Sequence, residues 1–198
     1  MQDTNKDQIA RRAAQLIVED ATLTISQAIQ AAQTQHGTPE SPLPSRRQVR
    51  QHCRALAQSV LGEEGYRDVI KAQLSVITQL LDSLRYLQPD ARVMVMGRAA
   101  RGLLDGPGRV YLRLFSDIAL SVFADRLVEL GYEEPSFHTV DTLHGRMSQL
   151  HLSEGGLDFS LTLIRSGVRV DDQLDLFTGK PITTIDAAGL HLLITDSQ

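Results

Sequence analysis

Pro89 divides the chain by period. Before it, apolar residues recur every three or four positions; after it, they alternate. The clearest run before the break is Ile70, Leu74, Ile77, Leu81 and Leu84. That spacing predicts a helix with one buried stripe, and Pro89 ends it because the residue before a proline is steered away from helical backbone. The clearest run after the break is Leu157, Phe159, Leu161 and Leu163, interleaved with Asp158, Ser160 and Thr162. It predicts a half-buried strand with one polar face. A chain whose period changes once, from helix to strand, is α+β, with its first helices gathered at one end of the sequence.

The remaining elements follow from local signals. Ile9, Ala13, Leu16 and Ile17 predict a first helix. Thr22 or Thr24 caps a second, with Ile25, Ala28, Ile29 and Ala32 on one face and Gly37 as its stop. Thr38 to Pro44 contains three prolines and reads as a loop. Ser45 caps a third helix to about Val60, and Gly62 and Gly65 break it before the Ile70 helix begins. Beyond Pro89, Val93 to Met96 and Val110 to Phe115 read as strands around a Gly/Arg loop, Gly97 to Gly108, with room for one helical turn. Asp117 starts a helix that stops at Gly131. Ser136 to Val140 and Arg146 to Leu152 form a hairpin around His144-Gly145. Gly155-Gly156 turns into the Leu157 strand, Thr178 to Pro181 is a turn, and Asp186 caps a last helix, Ala187 to Ile194. The expected division is a helical segment, 1–88, followed by an α+β domain, 89–198.

Composition excludes several classes. Of 198 residues, 42% are hydrophobic, enough to bury a core, and 22% are charged, so the chain is neither disordered nor fibrous. No apolar stretch approaches the ~20 residues that span a bilayer, so no membrane partner is expected. Arg11 and Arg12 interrupt the first apolar stretch, which excludes a secretory signal. The one cysteine, Cys53, excludes a disulfide framework or a cysteine metal cluster, and on its helix it reads as a buried thiol. Together these point to a reducing cytoplasm. The six histidines show no paired metal spacing, and each reads as a surface or turn residue. Residues 1–60 carry seven basic and five acidic side chains, whereas the rest carries 13 against 19. The N-terminal part is therefore the more polyanion-friendly.

The order from Val93 onward is strand, glycine loop, strand, helix, hairpin and polar-faced strand. It resembles the nucleotidyltransferase superfamily. The resemblance implies a nucleotidyltransferase-like mixed sheet with flanking helices, preceded here by the N-terminal helical segment. It also implies a glycine after the first strand, a carboxylate-x-carboxylate pair on the second, and a third carboxylate on a later strand beside them. Such a set holds the divalent cations that bind a triphosphate and neutralise its developing charge. Gly97 falls at the family glycine, with Arg98 in place of the usual Ser or Gly, and Asp158 at the third carboxylate. The second strand, Val110 to Phe115, has none, and Arg113 stands about where one ligand should be. The phrases Ile9 to Ile17, Leu43-Pro44-Ser45, Leu112 to Asp117 and Leu176 to Pro181 are similar to one proteobacterial nucleotidyltransferase-like subgroup, whose motifs imply no activity.

The resemblance therefore implies a degenerate, non-catalytic member that binds a protein partner or an anionic small molecule, with no metal and no cofactor. Gly97, Arg98, Arg101 and Arg113 are the candidate ligand-binding residues. Asp158 and Arg113 are expected to pair across the sheet, with a coupling of about 1–3 kcal/mol. Asp117, just past the strand, is expected to cap the following helix. The first alternative is an active transferase with displaced carboxylates, Asp105, Asp117 and Asp158. The second is a DNA-binding regulator, since Arg47, Arg50 and Arg54 share a helix face. Nucleic acid is the weaker choice of partner, because the Gly37–Pro44 connection is long for a helix-turn-helix and the chain is acidic overall.

Overall fold

The computed structural model describes residues 2–36 and 42–195. The helix stop expected at Gly37 and the first part of the 38–44 loop lie outside them. By internal contacts the chain divides into two compact units. One is Met1–Asp68 with Asp105–Gly108, and the other is Val69–Leu104 with Arg109–Gln198.

The first unit is helical. Helix α1 spans Gln2–Glu19 and α2 spans Ile25–His36. Ala10, Ala13, Ala14, Ala28 and Ala32 are all fully buried between them, so small side chains let the two backbones approach closely. Thr24 is the cap of α2: its Oγ1 accepts from the Gln27 N–H at 3.3 Å while Gln27 Oε1 accepts from the Thr24 N–H at 2.9 Å. Thr22 instead donates to Asp20. Helix α3, Arg46–Leu87, opens with the same reciprocal device, Ser45 with Gln48. Gly62, at φ 73° and ψ 172°, kinks α3, whereas Gly65 continues it. Cys53 is buried with Val49 among the residues of α1 and α2.

The second unit is a six-stranded mixed sheet with flanking helices, an α+β fold. Its strands are β1 (Arg92–Met96), β2 (Val110–Phe115), β3 (Ser136–Thr142), β4 (Gly145–Glu154), β5 (Leu157–Ile164) and β6 (Thr184–Ile185). A 3-10 turn, Ala99–Arg101, follows β1; α4 is Leu120–Glu129 and α5 is Ala187–Thr195. The sheet order is β3-β4-β5-β2-β1-β6, and only β2 and β5 run parallel.

Strand alternation gives the sheet two unlike faces. On the first, Val93, Val95, Leu112, Leu114, Leu150, Phe159, Leu161 and Leu163 bury against Leu74, Ile77, Leu81 and Leu84 of α3 and Phe123 and Leu127 of α4. The second face carries Tyr111, Arg113 and Phe115 on β2, Asp158, Ser160, Thr162 and Ile164 on β5, and Met147, Gln149 and His151 on β4. Sequence alternation predicts this face to be open, yet Arg113, Gln149, Ser160 and Thr162 are all buried. Part of the cover is the irregular stretch after β5. Val168, Val170 and Leu176 pack on Phe115, Ile164, Met147 and Val140. Among the described residues no helix is long and apolar enough to cross a membrane.

Candidate anion site at one end of the sheet

Register decides which residues meet. In the parallel pair, Val110 lies beside Phe159 and Tyr111 beside Ser160. Arg109 is therefore level with Asp158. In the antiparallel pair, Met96 lies beside Tyr111, so Gly97 leaves β1 at the same end. Gly97 (φ 67°), Arg109, Tyr111 and Asp158 thus belong to one end of the sheet. A carboxylate-x-carboxylate pair beside Asp158 would occupy positions 109 and 111, and those positions hold arginine and tyrosine. Arg113 lies four positions further along, about 13 Å away.

The expected Arg113–Asp158 pair is accordingly absent. Asp158 is exposed and accepts from Ser153 Oγ at 2.7 Å. Arg113 is 3% exposed and donates to the carbonyls of Asp171 (3.2 Å), Asp172 (3.3 Å) and Leu174. Burial lowers its pKa and the Asp172, Asp175 and Asp171 carboxylates oppose that, so the guanidinium stays charged. Arg113 holds the chain after β5 against the sheet, with its guanidinium buried on backbone carbonyls.

The other candidates scatter. Asp117 does not cap α4, whose cap residue is Ala119 without a side-chain bond. Its carboxylate accepts from the Ser166 backbone N–H and hydroxyl, both at 3.0 Å, and these bonds, the backbone one first, lower its pKa. It sits past the far end of β2, roughly 20 Å or more from Asp158. Asp105 belongs to the helical unit, where it accepts from the Tyr66 hydroxyl and burial raises its pKa. Within the sheet unit, Asp117 and Asp158 do not converge. In the glycine loop, the N–H groups of Gly97, Arg101, Gly102 and Leu103 are taken by carbonyls, and Arg101 is exposed. On the arginine face of α3, Arg47 is exposed, Arg54 lies 5.6 Å over the Tyr66 ring, and Arg50 is half-buried beside Gly106.

Two histidines missed at the sequence level complete the site. His138 and His151 stack at 3.9 Å between ring centroids. His151 Nδ1 lies 2.7 Å from Arg109 Nη1, its Nε2 lies 3.2 Å from Gln149 Oε1, and Gln149 Nε2 lies 2.9 Å from Thr162 Oγ1. A guanidinium only donates, and Arg109 Nη1 lies nearer Nδ1 than Nε2 (2.7 against 3.3 Å), which assigns Nδ1 as the acceptor and the proton to Nε2. The chain is then directed throughout: Arg109 to His151 to Gln149 to Thr162. Beside it, Ser160 Oγ is buried with no hydrogen-bond partner among the described residues.

Burial first, then the Arg109 and His138 charges, depress the His151 pKa to about 4, against the partial opposition of Asp158. The unfolded chain takes up this proton near pH 6.5 and the folded one near 4, so stability is complete above about 6.5 and falls as pH drops from 6.5 to 4. With a discount for partial exposure, the expected loss is about 2 kcal/mol. Urea unfolding of the wild type and His151→Gln at pH 7.0 and 4.5 checks this: the substitution should remove most of the pH dependence, and an unchanged dependence would exclude His151 as its source.

No family model matches the sequence, and no curated protein matches it. Several solved structures are similar. The Cid1 poly(U) polymerase is 17% identical with a TM-score of 0.39, the match covering 56% of this chain and 35% of that one. A cytoplasmic RNA terminal U-transferase is 19% identical with a TM-score of 0.38, over 56% and 34%. Cid1 in complex with the UTP analogue UMPNPP is 17% identical with a TM-score of 0.39, over 57% and 36%. The chain thus spans about a third of the length of these proteins. At this similarity they do not bear on the chemistry of the site.

Proposed function

We propose that the sheet unit is a degenerate nucleotidyltransferase-like domain that binds a phosphate-bearing anion without metal and without transfer. The observation that carries this is the identity of residues 109 and 111. Two divalent cations need several carboxylates, and this end of the sheet offers only Asp158, next to a guanidinium. The residues present do not fit a two-magnesium centre. Among the described residues no three His, Cys, Asp or Glu side chains group to hold a metal ion. Arg109 instead supplies fixed positive charge at the position where the cations would neutralise phosphate, and its planar fork suits a phosphate oxygen pair. His151 stays neutral at pH 7 and orients that fork. Arg101 adds positive potential from the glycine loop, and the unpartnered Ser160 hydroxyl is a donor in reserve.

Calorimetric titration with UTP tests the reading. Binding should be the same with magnesium and with EDTA. Arg109→Ala should weaken it at least tenfold, the effect of losing roughly 1.5–3 kcal/mol of charge-assisted hydrogen bonding. Magnesium-dependent affinity abolished by Asp158→Ala would overturn the proposal and establish the transferase alternative.

A further inference from the structure

At the other end of the sheet, β2 and β5 finish side by side, Phe115 next to Ile164. Their exits diverge. From β2 the chain passes to α4, which packs on the first face through Phe123 and Leu127. From β5 it passes onto the second face, where Val168 and Val170 pack. Two parallel neighbours whose continuations leave to opposite faces create a crevice outside their carboxyl ends, the position at which open sheets bind small molecules.

A cleft of about 640 Å³ lies there, formed by both strand ends (Phe115 to Asp117, Ile164 to Ser166), by Gln88, Asp90 and Arg92, and by Val168 to Asp171. The volume falls within the range of small-ligand sites, roughly 300–1,000 Å³. Phe115, Ile164, Val168 and Val170 give it an apolar wall. Most of its charges are already engaged. Arg92 lies 3.8 Å over the Phe115 ring and pairs with Asp172. Asp117 accepts twice from Ser166 through Oδ1 and also feels the Arg165 charge, and Asp171 accepts from the Gln173 N–H at 2.8 Å. Among the described residues, the Arg165 and Arg169 guanidinia make no hydrogen bond and no close ion pair, although the Arg165 charge acts on Asp117. The three arginines and three aspartates of the lining balance in formal charge; what sets the crevice apart is that the Arg165 and Arg169 guanidinia keep their hydrogen-bond donors free beside an apolar wall. The tight turn that closes with the Val168 N–H on the Arg165 carbonyl, at 2.9 Å, separates the two arginines by a short span.

We propose that this crevice is a second ligand site, distinct from the Arg109 end, and that it takes a small organic carboxylate with an aromatic or aliphatic body. The carboxylate meets Arg165 and Arg169, and the body lies on Phe115, Val168 and Val170. Charge alone does not account for such a site, since exposed guanidinia beside water select weakly; the apolar wall supplies the discrimination.

The test is amide-detected NMR titration of the full chain with 3-phenylpropionate, against 3-phenylpropanol and acetate. The acid is expected to shift residues 115–117 and 164–171, with a Kd at least tenfold lower than either control. Arg165→Gln with Arg169→Gln should weaken it at least tenfold. Arg109→Ala should leave it unchanged, which separates this site from the one proposed above. Both arginines lie on the surface, so the double variant will fold. Shifts centred on Arg109, equal binding of the alcohol, equal binding of acetate, or no shifts at millimolar acid would each overturn the proposal.

Discussion

Replacing Arg113 by Met will lower the stability of the sheet unit by about 3 kcal/mol, one of the two largest effects expected of any substitution considered for this protein. The guanidinium is 3% exposed and donates to three carbonyls, those of Asp171, Asp172 and Leu174. A hydrogen bond from a charged group contributes roughly 1.5–3 kcal/mol, and a carbonyl left unpaired costs about 1–3 where water cannot reach it. The cost of burying the guanidinium, which methionine avoids, offsets part of that sum. The loss should be local first: amide exchange should quicken between residues 168 and 176, where Leu176 packs on Met147 and Ile164. Asp158→Asn should cost under about 0.5 kcal/mol, as expected for an exposed side chain. The double variant should be additive within about 0.5 kcal/mol, because the two residues share no partner. A coupling of 1–3 kcal/mol would restore the ion pair, and an Arg113→Met cost under about 1 kcal/mol would remove the anchoring role.

That reversal marks where the sequence stops being legible. Elements set by local chemistry are readable: the Ser45–Gln48 cap, the Asp186 cap that receives the Gly189 N–H at 2.9 Å, the alternating β5, and the Gly155-Gly156 turn. Each depends on residues a few positions apart. The site depends on the register between β2 and β5, which are separated by α4 and the β3–β4 hairpin. No local signal sets that register, so Arg113 looked level with Asp158 when Arg109 is. The polar face of β5 looked solvent-facing because its cover comes from residues 165–183, which have no period. The histidine stack was within reach of the sequence, since a two-residue turn at His144-Gly145 would set His138 directly opposite His151. The hairpin loop is Leu143-His144, not His144-Gly145, and this pairs His138 with Gln149 and leaves His151 diagonal to it on the same face.

The second large effect is expected at Gly155, and its neighbour provides the control. Gly155 and Gly156 join β4 to β5 in a two-residue turn with φ of +55° and +75°. Both angles are positive, as a type I′ turn requires. Any side chain at either position therefore carries a conformational cost of about 1 kcal/mol. The two positions differ in space. A Cβ on Gly156 meets nothing within 4 Å, whereas one on Gly155 stands 2.6 Å from Val76 Cγ2 and 3.0 Å from Cγ1. Val76 is packed against the core, and relieving such an overlap costs roughly 1–3 kcal/mol in a close-packed interior. Gly156→Ala should therefore cost about 1 kcal/mol and Gly155→Ala about 3. Removing the valine methyls isolates the steric part. In a Val76→Ala background, Gly155→Ala should fall to the cost of Gly156→Ala, a favourable coupling of about 2 kcal/mol in a double-mutant cycle by urea unfolding. Equal costs for the two glycines in the wild-type background would mean that backbone conformation alone requires them, and that α3 does not press on the turn.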